Sequence, residues 1–127
     1  MEPMSPEDWW PLFQRAMHDG DLDVVLRLYE PGAVFASATG EILAGHDALR
    51  TVLGPLANAR ADSQFSIRKI IQNGALALVQ SDVRTTRPQA TSGCALEVLR
   101  RQSDGSWLLA IGDPFTIGQR SGPWTGT

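Results

Sequence analysis

The sequence holds one cysteine, Cys94, and only two histidines, His18 and His46, in 127 residues. A lone cysteine cannot close an intrachain disulfide, so no covalent cross-link is expected, and a reducing compartment suits it. The three potential soft ligands are isolated from one another, so no zinc-ligand spacing exists and no metal is expected. A glycine-rich phosphate loop, a dinucleotide fingerprint and a nucleophile-elbow serine are all missing, and no cofactor is expected. No apolar run approaches the ~18 residues that would span a bilayer. The opening MEPMSPEDWW is acidic and has no apolar stretch, so no secretory leader is read there and a cytoplasmic location is expected. Charge of one sign is also lacking. Eleven Lys and Arg against fourteen Asp and Glu give a net charge of -3, which argues against nucleic acid or an anionic membrane as partner. Arg100-Arg101, the densest basic spot, reads as a solvated strand end.

What remains is the material of one soluble domain: 43% hydrophobic and 20% charged residues in a chain long enough for a real core. Ser5-Pro6-Glu7-Asp8 has the pattern of a helix start, and Trp9, Phe13, Ala16 and Met17 recur at helical spacing up to His18-Asp19-Gly20. Asp21 caps a second helix carrying Leu22, Val25, Leu26 and Tyr29, which Pro31-Gly32 stops. Ala33 to Ala36 and Glu41 to Ala44 read as short strands. Gly45-His46-Asp47 opens a third helix with Leu49, Val52, Leu53 and Leu56 on its buried face, kinked or ended near Gly54 by Pro55.

From Gln64 onward the period changes to that of strands. Asn73-Gly74 is read as the centre of a type I′ hairpin turn, followed by strands at Ala75 to Thr86, Gly93 to Gln102 and Ser106 to Asp113. Helices first and a meander after predict an α+β domain, with three N-terminal helices packed on one face of a curved antiparallel sheet. This domain is placed at residues 1–117. The glycine-bearing tail at 118–127 is expected to be loosely ordered. In Ala75 to Arg84 both alternating sets are largely apolar, the even one ending in Gln80, Asp82 and Arg84. One face must meet the helices and the other needs a cover, so a homodimer packed through its sheets is expected.

Several segments resemble a known family. Gly20-Asp21-Leu22-Asp23 with Leu28-Tyr29-Glu30-Pro31-Gly32-Ala33-Val34-Phe35 resembles the helix-to-strand passage of the nuclear transport factor 2-like superfamily. Gly45-His46-Asp47-Ala48-Leu49-Arg50 is similar to the start of its third helix. Ala77 to Asp82, Val98 to Trp107 and Ile111-Gly112-Asp113-Pro114-Phe115 resemble its SnoaL-like, ketosteroid-isomerase-like branch of mostly uncharacterised bacterial proteins. The resemblance spans residues 8 to 117 and implies a cone-shaped, cystatin-like fold around an internal pocket, often dimeric. It implies no single activity, since such folds host isomerases, cyclases, hydrolases and dehydratases.

The steroid-isomerase branch implies a carboxylate base on the first strand, where this chain has Ser37, and a tyrosine in the first helix, where it has Trp9, Trp10 and Phe13. A serine without a neighbouring base does not abstract a carbon-bound proton. The cyclase and epoxide-hydrolase branches imply acids on later strands, and Asp82 and Asp113 stand at matching positions, each in phase with an apolar set. They are the candidate catalytic pair, one acid and one base if both face the cavity. Gln80 replaces the arginine that the hydrolase pattern wants. The alternative for both aspartates is structural, at places where strands leave the core. Trp9, Phe13, Met17, Phe35 and Gln80 are the candidate ligand contacts. Three functions follow: binding of a small, mostly apolar molecule in an internal pocket, without an assigned reaction; a cyclase, isomerase or hydratase using Asp82 and Asp113; or a dimerisation or protein-interaction module.

Overall fold

The computed structural model describes residues 2–114, and the expected loose tail at 118–127 lies outside them. A short 3-10 turn at Pro6–Asp8 leads into α1, Trp9–Asp19, with Pro11 in its first turn, where a missing N–H costs no helical bond. Gly20 ends α1 at φ 72°, in the left-handed region that lets the chain reverse into α2, Leu22–Arg27. Asp21 caps α2 by accepting a hydrogen bond from the amide of Val24.

The second helix stops earlier than its apolar stripe suggests. Tyr29 belongs instead to β1, Tyr29–Ala36, which includes Pro31 and Gly32 in a stretch where its pairing with β6 is irregular. β2, Ile42–Ala44, pairs with β1 on the sheet edge. α3, His46–Asn58, continues through Pro55 and ends beyond the expected break at Gly54. β3 (Asp62–Asn73), β4 (Leu76–Arg87), β5 (Thr91–Arg101) and β6 (Trp107–Asp113) complete the chain.

The β3–β4 hairpin turns on Gly74-Ala75 rather than on Asn73-Gly74, because Asn73 still pairs with Leu76. Only Gly74 takes a positive φ, 60°, which matches turns with glycine at the first central position. The strand order is β2-β1-β6-β5-β4-β3, and β1 lies parallel to β6 while the other pairs are antiparallel. The sheet is therefore mixed rather than purely antiparallel, because the chain returns from the meander to place its last strand beside its first. The α+β class with helices on one face stands.

Of the register irregularities in the sheet, two set the faces of residues that matter below. Register slips between Ile67 and Lys69 in β3, and between Leu109 and Ile111 opposite Leu99 and Val98. A one-residue slip exchanges the two faces of a strand. Beyond the second slip Gly112 pairs with Glu97, and Asp113 pairs with Leu96.

The inner face carries Ala77 and Val79 from β4, Leu99 from β5 and Leu109 from β6, all fully buried with Trp9, Val25 and Leu49 of the helices. Truncating Leu99 to alanine opens a void in this layer and is expected to cost about 3 kcal/mol, within the usual range for buried leucine. Urea unfolding monitored by tryptophan fluorescence checks this; a loss under about 1 kcal/mol would show that the layer is not close-packed.

Candidate functional site

Between the helices and the inner face of the sheet lies a cavity of about 480 Å³. α1 contributes Trp9 and Phe13, α3 contributes Leu49, Val52, Leu53 and Leu56, and the strands contribute Phe35, Phe65, Val83 and Ala95. The aromatic end is locked by mutual packing. Trp9 stacks on Phe13 at 4.9 Å between centroids and meets Tyr29 edge-on at 5.5 Å, and Phe13 meets Phe65 edge-on at 5.8 Å. The hydroxyl-bearing residues Ser63, Thr85, Thr91 and Ser92 border the β3–β5 side.

Among the described residues one carboxyl lines the cavity, Glu97, 6% exposed on the inner face of β5. Its opposite number on β6 is Gly112, where an added Cβ would stand 3.4 Å from Glu97 Oε2 and 3.3 Å from Leu109. A residue without a side chain at 112 thus leaves the room that the carboxyl occupies. Burial pushes the Glu97 carboxyl up to about 7; the Trp10 indole pulls in the opposite direction, and the charge of Asp113 adds to the rise. Trp10 Nε1 is itself buried and makes no hydrogen bond of ordinary geometry among the described residues, so its pull on Glu97 is that of a nearby dipole. Tyr29 also lines the cavity. Its phenol is held well above the ordinary value by burial and then by the charge of Glu97, so it stays a hydrogen-bond donor.

A carboxyl that ionises near neutrality can both give and accept a proton at physiological pH. With a phenol lining the same cavity and apolar walls around both, this arrangement is, among the described residues, suited to acid–base work. Among the described residues no group of three or more His, Cys, Asp or Glu converges to hold a metal ion.

The aspartates proposed from the sequence do not line this cavity. Asp82 lies on the outer face of β4, 41% exposed at its side chain, where it accepts hydrogen bonds from Arg68 Nε at 2.7 Å and from the Cys94 thiol at 3.2 Å. The Arg68 bond, followed by the Cys94 bond, holds its carboxyl below the usual range, and the Asp82 bond raises the Cys94 thiol. Asp82 is indeed in phase with Leu76 and Leu78, but that set faces away from the helices. Asp113 is turned out of phase with Trp107 and Leu109 by the register slip, and pairs with Leu96 on the outer set. Gln80, between Lys69 and Leu96, also lies on the outer face. Trp9, Phe13 and Phe35 are cavity walls as expected, whereas Met17 is buried in the core behind them. Sequence reasoning missed Glu97 and Tyr29. The available signal for Glu97 was its phase with Ala95 and Leu99; Tyr29 was masked by its helical spacing from Val25 and Leu26.

The curved sheet, covered by helices on one face with a cavity between the layers, has the nuclear transport factor 2-like class of α+β fold. Within it, the SnoaL-like domain family matches residues 12–109, and the chain belongs to that family. Among curated proteins none matches the sequence. Solved structures share the fold at low identity. A candidate calcium/calmodulin-dependent protein kinase type II association domain from Thiobacillus denitrificans is 17% identical at TM-score 0.72, covering 91% of this chain and 98% of that one. A ketosteroid isomerase-like protein from Erwinia carotovora atroseptica is 20% identical at TM-score 0.59, covering 84% and 89%. A candidate dehydratase of the NTF2-like family from Streptomyces avermitilis is 20% identical at TM-score 0.63, covering 86% and 92%.

The raised Glu97 value fixes the sign of a stability effect. Below about pH 4.5 the carboxyl is protonated in both the folded and unfolded chain, and burial carries no charge penalty. Between there and about pH 7 the unfolded chain releases this proton and the folded chain keeps it, so stability falls as pH rises, by on the order of 3 kcal/mol across the window. Glu97→Gln is expected to lack this decline. Paired urea titrations from pH 4 to pH 8 measure it, and parallel pH curves for the two proteins would refute the assignment.

Proposed function

We propose that the protein binds a small, mostly apolar, neutral organic molecule in its internal cavity, with the one polar group of that molecule directed to Glu97 and Tyr29. The observation that carries this reading is the make-up of the cavity: about 480 Å³ with aromatic and aliphatic walls and one buried carboxyl. A volume of that size suits a two- or three-ring molecule rather than a polymer. An anionic ligand would lose its hydration against these walls with no opposite charge to replace it. A protonated Glu97 and the Tyr29 phenol both donate, so a carbonyl or hydroxyl oxygen is the group they would hold. A cytoplasmic setting accords with the single free thiol of Cys94.

Naphthol, a neutral fluorescent phenol, is a direct probe. It is expected to bind with a Kd on the order of 100 μM. Val52→Trp, which fills the cavity from α3, is expected to abolish the signal. Naphthol that fails to bind, or binds equally to the filled variant, would count against an internal site.

One observation favours a second, catalytic reading. A carboxyl poised near neutrality in the same cavity as a phenol donor is suited to moving a proton on a bound ketone, with Tyr29 steadying the developing oxyanion and Glu97 taking the α-proton. This keeps the isomerase or hydratase expectation but moves its acid–base role from Asp82 and Asp113 to Glu97. Exchange of α-deuterium from deuterated tetralone into water is expected to rise with pH through about 7 and to fall at least ~100-fold in Glu97→Gln, the usual scale for losing one acid–base group. Exchange that persists in that variant, or that depends on Asp82, would exclude Glu97 as the base.

A further inference from the structure

The inner face of the sheet floors the cavity in rows that run across the strands. At the buried end Glu97 of β5 stands opposite Gly112 of β6. At the other end Ser63 of β3, Thr85 of β4 and Thr91 of β5 are strand partners, which makes a row of hydroxyl-bearing residues. Between these ends the strands line the cavity with Phe65, Val83, Gly93 and Ala95, none of which carries a polar side chain. The same cavity is bordered by both ends.

The hydroxyl row is not closed on itself. Ser63 Oγ and Thr85 Oγ1 stand 2.8 Å apart, in a bond that either can donate. One O–H is spent there, and the other has no partner among the described residues. Ser63 is only 9% exposed, so bulk water has little access to this pair. Thr91 is exposed and marks this end as the open one.

We infer that the Ser63–Thr85 pair is a second polar subsite, and that the cavity takes a rod-shaped molecule with an oxygen at each end and an apolar middle. The subsite presupposes the proposed seat of the first oxygen at Glu97 and Tyr29. Along β5, Thr91 and Glu97 lie six residues apart, roughly 20 Å. Less one hydrogen bond at each end, the two oxygens of the ligand are roughly 14 Å apart. A volume of about 480 Å³ drawn out over that length has a section of roughly 24 Å², which passes aromatic rings in single file. Two fused rings reach one end only, whereas three rings joined end to end reach both. A ligand that is apolar at its far end leaves the free O–H without a partner, and that loss is what discriminates against it.

Hydroxyterphenyl, three para-linked rings with one terminal hydroxyl, and its dihydroxy analogue, with one at each end, are matched fluorescent probes. The diol is expected to bind about tenfold more tightly than the mono-ol, the scale of one good neutral hydrogen bond. Ser63→Ala with Thr85→Val removes both hydroxyls and strands neither, and is expected to bring the ratio of the two Kd values to about one. Mono-ol binding by this variant reports an intact cavity, and Thr85→Val alone gives the same reading should the double variant not fold. Equal binding of both probes to the unaltered protein, or a diol advantage that survives in the variants, would overturn the second subsite and leave the Glu97 seat standing. Naphthol that binds where neither terphenyl does would overturn the rod shape. Failure of naphthol itself would remove the first seat, and the second with it.

Discussion

The carbonyl of Leu28 joins the two layers of this molecule. It accepts a hydrogen bond from Trp9 Nε1 at 2.7 Å and another from the amide of Leu109 at 2.9 Å. The first bond fixes α1 against the sheet, and the second starts the parallel pairing of β1 with β6. Both lone pairs of one buried carbonyl are thereby used, and the chain cannot continue helically past Leu28. The next residue, Tyr29, is turned into a strand with its side chain on the cavity. His46 holds the same residue from α3, through a bond between Nε2 and the Tyr29 carbonyl at 3.0 Å. Helix one, helix three and the sheet all converge on the Leu28-Tyr29 backbone, and the cavity is the space they enclose.

A consequence is that the cavity is pre-formed rather than made by a ligand. Its aromatic wall is a chain of ring contacts from Trp10 through Trp9 to Phe13, Tyr29 and Phe65, drawn from α1, β1 and β3. Rings held on several sides have few rotamers left to lose. The carboxyl of Glu97 faces this wall from β5, where Gly112 has cleared its place. Its burial costs free energy that only a proton, a ligand or a nearby dipole offsets, and such a group is retained more readily for chemistry than for folding.

How far the sequence disclosed this varies with the physics involved. Helix starts, the glycine that ends α1 and the strand period were visible because they are local. The parallel β1–β6 pair was not visible, since it joins segments about eighty residues apart. The aspartates illustrate the same limit more sharply. Asp82 was correctly placed in phase with Leu76 and Leu78, but phase alone does not say which face meets the helices when both faces are apolar. Asp113 failed for another reason. A single register slip in β6 moved it to the opposite set and put Gly112 in its place. Glu97 stands between the apolar Leu96 and Val98, the pattern of a solvated residue in an alternating strand. Those two belong to the outer face, and their hydrophobicity describes that surface rather than the core.

β5 is thus the strand on which both surfaces depend. Its inner side supplies Ala95 and Glu97 to the cavity, and its outer side supplies Leu96 and Val98 to the opposite face of the sheet. Successive residues of one rigid strand, hydrogen-bonded on both sides, serve the two faces, so neither can shift without the other.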